Sequence, residues 1–257
     1  MSSSGDAARS RVYSSSAEAR FWWHRVPRHD YVPPIYASLS DAEWDLMSAW
    51  YADTSRENLI GECAVPIMSL LHGLIMGNGI RRLVQLGTFS GYSTLLLGFF
   101  LRQMRAEHGL CTFEIGEPLC LYTRQWIERA ALDSFIRIEH RSSLDPTAPE
   151  VAREYLRGAP EMIFVDSSHE YGSTLAELEL WYAELAPGGF IVLHDASEFA
   201  ETFDATQRGG VQRALREWRQ AHPEAEAFFM NRNVRVQETP GMIYQDFCGA
   251  GLIQKPV

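Results

Sequence analysis

Arg81-Arg82-Leu83-Val84-Gln85-Leu86-Gly87-Thr88-Phe89-Ser90-Gly91-Tyr92-Ser93 runs from an apolar stretch through two glycines into a segment of helical spacing. It reads as strand, tight turn and helix start in one package. Gly87 permits the turn, Gly91 would let a ligand approach the backbone, and a helix N-terminus offers unpaired N–H groups to an anion. The spacing is G-x-x-x-G, which departs from the G-x-G-x-x-G of dinucleotide binders.

Outward from this stretch the pattern repeats. Short β-type runs at 81–87, 111–116, 135–140, 162–168, 189–195 and 227–232 are separated by helical spacing, with a last strand expected within 242–247 or 251–254. Helices are clearest at 91–107, 118–132, 171–185 and 210–221, and Pro187-Gly188-Gly189 marks the turn before the fifth run. Alternating β and α units predict an α/β, Rossmann-like, doubly wound and mostly parallel seven-stranded sheet. The chain has 257 residues, 46% of them hydrophobic, which suits one large domain over 57–257 better than two.

Residues 1–18 are Ser/Ala-rich without apolar periodicity, and disorder is expected there. Residues 19–56 form an aromatic-rich extension carrying Phe21, Trp22, Trp23, Tyr31, Tyr36, Trp44, Trp50 and Tyr51. Two readings stand: a segment packed on the main domain or a dimer partner, or an aromatic lid over a substrate. Ser40 and Glu43 have capping-box spacing for a helix running to about Tyr51.

A formal charge of -10 with scattered Lys and Arg argues against a nucleic-acid partner. The longest apolar stretch, around Leu95–Leu101, is far shorter than the roughly 18 residues a bilayer helix needs. The N-terminus lacks a secretory apolar segment, and Cys63, Cys111, Cys120 and Cys248 form no CxxC pair. A cytoplasmic protein with free thiols is the expectation.

Ligands of such sheets bind beyond the carboxyl ends of the strands. Glu114 ends the second run about 27 residues after Gly87, where an acidic side chain can accept both hydroxyls of a ribose. Asp166 ends the fourth run with His169 three residues on, and His194 and Asp195 end the fifth. Neighbouring strand ends thus deliver two carboxylates and two imidazoles to one rim; the plainer reading makes each Asp a helix cap and His169 a surface residue.

The segments QLGTFSGYS, FEIGEP, IFVDSSHEY, LAPGGFIVLHD and GGVQRAL resemble the class I S-adenosylmethionine-dependent methyltransferases, most of all the small-molecule O-methyltransferases of the catechol and macrolide-sugar type. The resemblance implies that Gly87, Gly91 and Ser93 surround the methionine end of S-adenosylmethionine, that Glu114 holds its ribose, and that Ser142 or Ser143 lies near its adenine. It implies further that Asp166 serves cofactor and catalysis, that His169 is the general base, and that Asp166 and Asp195 hold Mg²⁺; with His194 in the set the ion would be another divalent one, and a site without metal is the remaining alternative. The chain departs from the family at Gln85, where an acidic residue is usual, and at His194 and Ala196, where a third oxygen ligand would stand. Glu198, Ser167 or water would have to complete a Mg²⁺ site.

The acceptor implied is a hydroxylated small molecule, a natural product, sugar or phenol, and a homodimer or higher homo-oligomer is expected. Two rival readings are a catalytically silent cofactor-binding partner subunit and a serine hydrolase using Ser93. The hydrolase elbow would need a small residue where Leu95 stands.

Overall fold

A computed structural model describes residues 32–237 and 241–257. The expected disorder over 1–18, and the aromatics at 21–31, lie outside the described residues. The elements are α1 (Pro34–Ala37), α2 (Asp41–Arg56), α3 (Val65–Asn78), β1 (Leu83–Leu86), α4 (Tyr92–Gln103), β2 (Leu110–Glu114), α5 (Glu117–Arg129), β3 (Ile136–His140), α6 (Ala148–Leu156), β4 (Met162–Val165), α7 (Tyr171–Glu184), β5 (Phe190–His194), α8 (Gly210–Ala221), β6 (Glu226–Met230) and β7 (Ala250–Gln254). A 3₁₀ turn at Ala200–Phe203 follows β5.

The strands form one sheet in the order β3-β2-β1-β4-β5-β7-β6. The first five are parallel, and β7 runs antiparallel between β5 and β6. The expected Rossmann-like sheet is therefore present, and the last strand is 250–254 rather than 242–247. Strand order reverses between β1 and β4, which opens a crevice at their carboxyl ends.

Two apolar layers cover the sheet. One gathers α1 to α5 around Trp50, Phe99, Phe100 and Trp126; the other packs α6, α7 and α8 around Trp181 and Trp218. Helix α4 is buried over Leu95–Leu101, because a helix apolar on all sides needs cover on all sides. Helix α3, absent from the expected elements, supplies part of that cover through Ile67, Met68, Leu71 and Ile75. No described helix is long and apolar enough to cross a membrane.

The capping box opens α2 as its spacing predicts: Glu43 N–H donates to Ser40 Oγ, and Glu43 Oε2 accepts from Ser40 N–H at 2.7 Å. The helix then packs into the domain core. Trp50 Nε1 donates to Ser90 O at 2.8 Å, and Tyr36 Oη lies 2.6 Å from Tyr92 Oη, so residues 34–56 brace the turn after β1 from outside.

A second brace lies after β5. Buried Asp204 accepts N–H bonds from Thr206, Arg208 and Gly210, and a longer one of 3.4 Å from Tyr171. One carboxylate thereby fixes the starts of α7 and α8. Burial alone would raise its pKa, but the hydrogen bonds from Thr206, Gly210 and Arg208 outweigh burial and hold it at about 2.

Trp50→Ala is expected to cost roughly 3–5 kcal/mol of stability, and Trp50→Phe roughly 1–3 kcal/mol, because the ring is kept while Ser90 O loses its donor. Urea unfolding measures both. For Asp204 the folded pKa lies below the unfolded one, so its contribution of roughly 2 kcal/mol is present above about pH 4 and is lost as pH falls towards about 2. Asp204→Asn should flatten the stability–pH curve in that window and leave its slope near pH 7 unchanged.

Candidate active site

The turn after β1 is built by packing. A Cβ on Gly87 (φ 88°) would stand 2.2 Å from Asp166 O, so only glycine lets β1 pass the end of β4. At Gly91 (φ 94°) a Cβ would meet Thr123 Cγ2 at 2.8 Å. Its bare Cα therefore also serves packing, letting α4 start against α5.

Gln85 is wholly buried beneath the turn. Its Nε2 donates to Gly87 O and Ser93 Oγ, both at 2.8 Å, and its Oε1 accepts from Thr94 Oγ1 at 3.0 Å. The amide that stands where the resembling family has an acid is thus a clamp between strand, turn and helix. Ser93 is itself buried and, among the described residues, has no histidine as a hydrogen-bond partner. The hydrolase reading therefore lacks its base.

Glu114 ends β2 and reaches back to the same turn. Its Oε2 accepts from Phe89 N at 2.9 Å and Thr88 N at 3.3 Å, and its Oε1 accepts from Gly116 N at 2.8 Å. A carboxylate has about four acceptor positions, so capacity remains for a hydroxyl donor. Beside it opens a cavity of about 530 Å³ lined by Gly87, Gly91, Ser93, Glu114, Ser142, Ser143, Asp166 and His169. All the residues expected to hold the cofactor therefore face one space of ligand size. Ile115, 73% exposed, and half-exposed Leu144 and Phe89 add apolar surface at its mouth. A buried carboxylate with spare lone pairs, a glycine turn and apolar flanks fit a nucleoside-bearing amino acid.

Asp166, Asp195, His169 and His194 do converge, but with different partners from those expected. His169 Nδ1 lies 3.0 Å from Asp195 Oδ2. His194 Nδ1 lies 3.3 Å from both Asp166 Oδ1 and Asp195 Oδ2, and its Nε2 lies 3.2 Å from Asp246 Oδ2. With carboxyl oxygens facing both ring nitrogens, His194 is placed to donate from each. Burial pushes the His194 pKa down, but the charges of Asp195 and Asp246 and the bonds to Asp166 and Asp195 prevail and hold it well above its ordinary value. Asp195 moves the other way: burial would raise its pKa, and His194 and His169 bring it far below the usual carboxylate range. For His169, burial lowers the pKa, while the bond and charge of Asp195 and the charge of Asp166 produce a net rise. Both His169 and Asp195 have φ of 59°, a left-handed backbone costing of order 1–3 kcal/mol each outside glycine.

The donor set does not suit Mg²⁺. Both ring nitrogens of His194 face carboxylates, and with Asp195 and Cys248 it also forms one of two trios among the described residues whose ligand atoms lie close enough to share an ion. Glu198 pairs with Arg235, and the Ser167 hydroxyl donates to Glu177. The other trio is Asp166, His169 and Asp195; each trio brings an imidazole and one brings a thiol, whereas Mg²⁺ prefers six oxygens in near-octahedral array.

Sequence reasoning missed Asp246, which is wholly buried and takes Cys248 N–H on Oδ1 and His194 on Oδ2. It stands 52 residues from His194, and no spacing rule links them. Buried Glu177 was missed as well: the 3.6-residue period places it on the inner face of α7, but nothing in that period shows what it meets.

A family described as a methyltransferase domain matches residues 84–196. No curated protein matches the chain by sequence. Among solved structures, the O-methyltransferase from Bacillus cereus in complex with SAH is 20% identical with a TM-score of 0.62, the alignment covering 84% of this chain and 91% of that one. The O-methyltransferase TomG from Streptomyces achromogenes, involved in tomaymycin synthesis and bound to SAM, is 18% identical with a TM-score of 0.61 over 85% and 91%. The Podospora anserina methyltransferase PaMTH1, bound to SAH, is 13% identical with a TM-score of 0.63 over 85% and 89%. At these identities the likeness is one of fold, and it extends well beyond the span of the family match. Residues 84–196 thus match a methyltransferase-domain family, and the fold is the one shared by these methyltransferases.

Proposed function

We propose that this methyltransferase acts on oxygen, at a hydroxyl of a small molecule, with His169 as general base. The observation that carries the reading is the His169–Asp195 pair beside Asp166 on the cavity wall. Nδ1 of His169 is committed to Asp195, so its second nitrogen is the one left for an acceptor hydroxyl. The O-methyltransferases of like fold support oxygen as the acceptor atom. The apolar surface of Ile60 and Phe89 at the cavity, and of Phe203 against the His169 ring, suits a hydroxyl on an aromatic or aliphatic body.

When bound, S-adenosylmethionine supplies a sulfonium methyl group for in-line transfer to that oxygen. The chain's own work is alignment and proton removal. Glu114 and the glycine turn orient the cofactor, and His169 Nε2 accepts the hydroxyl proton. Asp195 keeps Nδ1 protonated and stabilises the imidazolium that forms, the division of labour of a catalytic His–Asp pair. No step runs through Mg²⁺, for the donor set does not suit it.

His169→Ala should lower kcat by about 10²–10⁴ while leaving calorimetric SAH affinity unchanged. His169 must be neutral to act, and its pKa is raised, so the wild-type rate should fall on the acid side at a pH above the ordinary imidazole value of about 6.5. Asp195→Asn should move that limb to lower pH while also reducing kcat. A His169→Ala rate within about threefold of wild type would remove the base assignment. Excess EDTA should leave the wild-type rate unchanged. Glu114→Ala should weaken SAH binding by roughly 1–3 kcal/mol, and unchanged affinity would refute its placement at the ribose.

A further inference from the structure

Glu177 is an acid with 1% exposure on α7, at the wall of the cofactor cavity, and the methyl-transfer chemistry above does not use it. Its Oε2 accepts from Ser167 Oγ at 2.7 Å, and its Oε1 accepts from Ser143 Oγ. One turn further on, Trp181 Nε1 donates to Ser143 O at 2.9 Å. Helix α7 thus ties the loop after β3 to the loop after β4, and both loops line the cavity.

The bonding has a polarity. Both hydroxyls donate to Glu177, one to each oxygen, so each serine spends its only O–H there; burial raises the Glu177 pKa, and the two serine bonds oppose that rise. What Ser143 and Ser167 keep for the cavity is lone pairs. Sheet order says which part of a ligand meets them. Along the crevice the sequence runs from the glycine turn after β1, to Glu114 after β2, to Ser143 after β3. A cofactor with its amino-acid end at the turn and its ribose at Glu114 carries its base to the β3 end, where Ile115 and Leu144 offer apolar surface to a flat ring.

We infer that Glu177 sets the purine preference of the site: by holding the Ser143 and Ser167 hydroxyls as acceptors only, it selects a base bearing an exocyclic amino donor, adenine, over one bearing a carbonyl at the same position. Glu177 is a positioning residue here, acting through the two serines. The inference rests on S-adenosylmethionine being the cofactor.

The test compares SAH with S-inosylhomocysteine, its deaminated analogue with a carbonyl in place of the amine, by calorimetry at pH 8, well above the ordinary carboxyl range because burial raises the Glu177 pKa. Wild type should favour SAH by about tenfold to a hundredfold, the range for one polar group left unpaired. Glu177→Gln puts an amide N–H₂ against one serine, whose hydroxyl then turns into the cavity as a donor. The preference should fall to about threefold or less, with S-inosylhomocysteine gaining as SAH loses. Ser167→Ala and Ser143→Ala should each reduce the preference several-fold, and they carry the test if Glu177→Gln does not fold. A merely structural Glu177 would weaken both ligands alike and leave their ratio unmoved, which overturns the inference. Wild type that binds SAH without discrimination overturns it too, and wild type that binds neither ligand overturns the cofactor reading beneath it.

Discussion

Three carboxylates, Asp166, Asp195 and Asp246, close around one imidazole, and the site depends on that encounter. Two of the three acids are buried, Asp246 wholly, and each would be costly without a cation or donors to meet it. The His194 ring meets all three from the end of β5. It leaves Asp195 able to accept from His169 Nδ1 as well, so the His169–Asp195 pair rests on an internal neutralisation of charge. The same encounter joins the end of β4, the end of β5 and the loop before β7.

A comparable economy governs the turn after β1. Gln85 holds it from below, Glu114 from the side and Trp50 from outside, while Gly87 and Gly91 are bare because Asp166 O and Thr123 crowd them. Each neighbour fixes the loop without filling the cavity beside it. The cofactor thus meets a turn already fixed in position, and less ordering has to accompany binding.

Much of this was legible in the sequence for a physical reason. Alternating apolar runs report burial on both faces of a parallel sheet, and the residues just past each run must lie at one rim, so Glu114, Asp166, His169, His194 and Asp195 could be placed together from their positions alone. Partner choice was not legible. His194 was placed beside Asp195 by position alone, and nothing in its spacing showed that the ring also faces Asp246, brought back by the chain before a strand inserted antiparallel between two others. Helix α3 escaped notice because it is apolar nearly all round and shows no amphipathic period. Gln85 looked like a loss of charge at the pocket, whereas its bonds lie inside the turn.

The place of β7 has a consequence for how the molecule comes into being. It lies between β5 and β6, so two strands made earlier become neighbours of a third made later, and Asp246 arrives only with that insertion. Until then His194 lacks one of its three acids, and the edge of β5 lacks its ladder. During synthesis the nucleotide-side half, β1 to β4, has its own partners early. The C-terminal side of the sheet is completed last, so a chain stalled or clipped before residue 246 would carry the strand ends bearing Glu114, Asp166 and His194 without the acid that meets His194 Nε2.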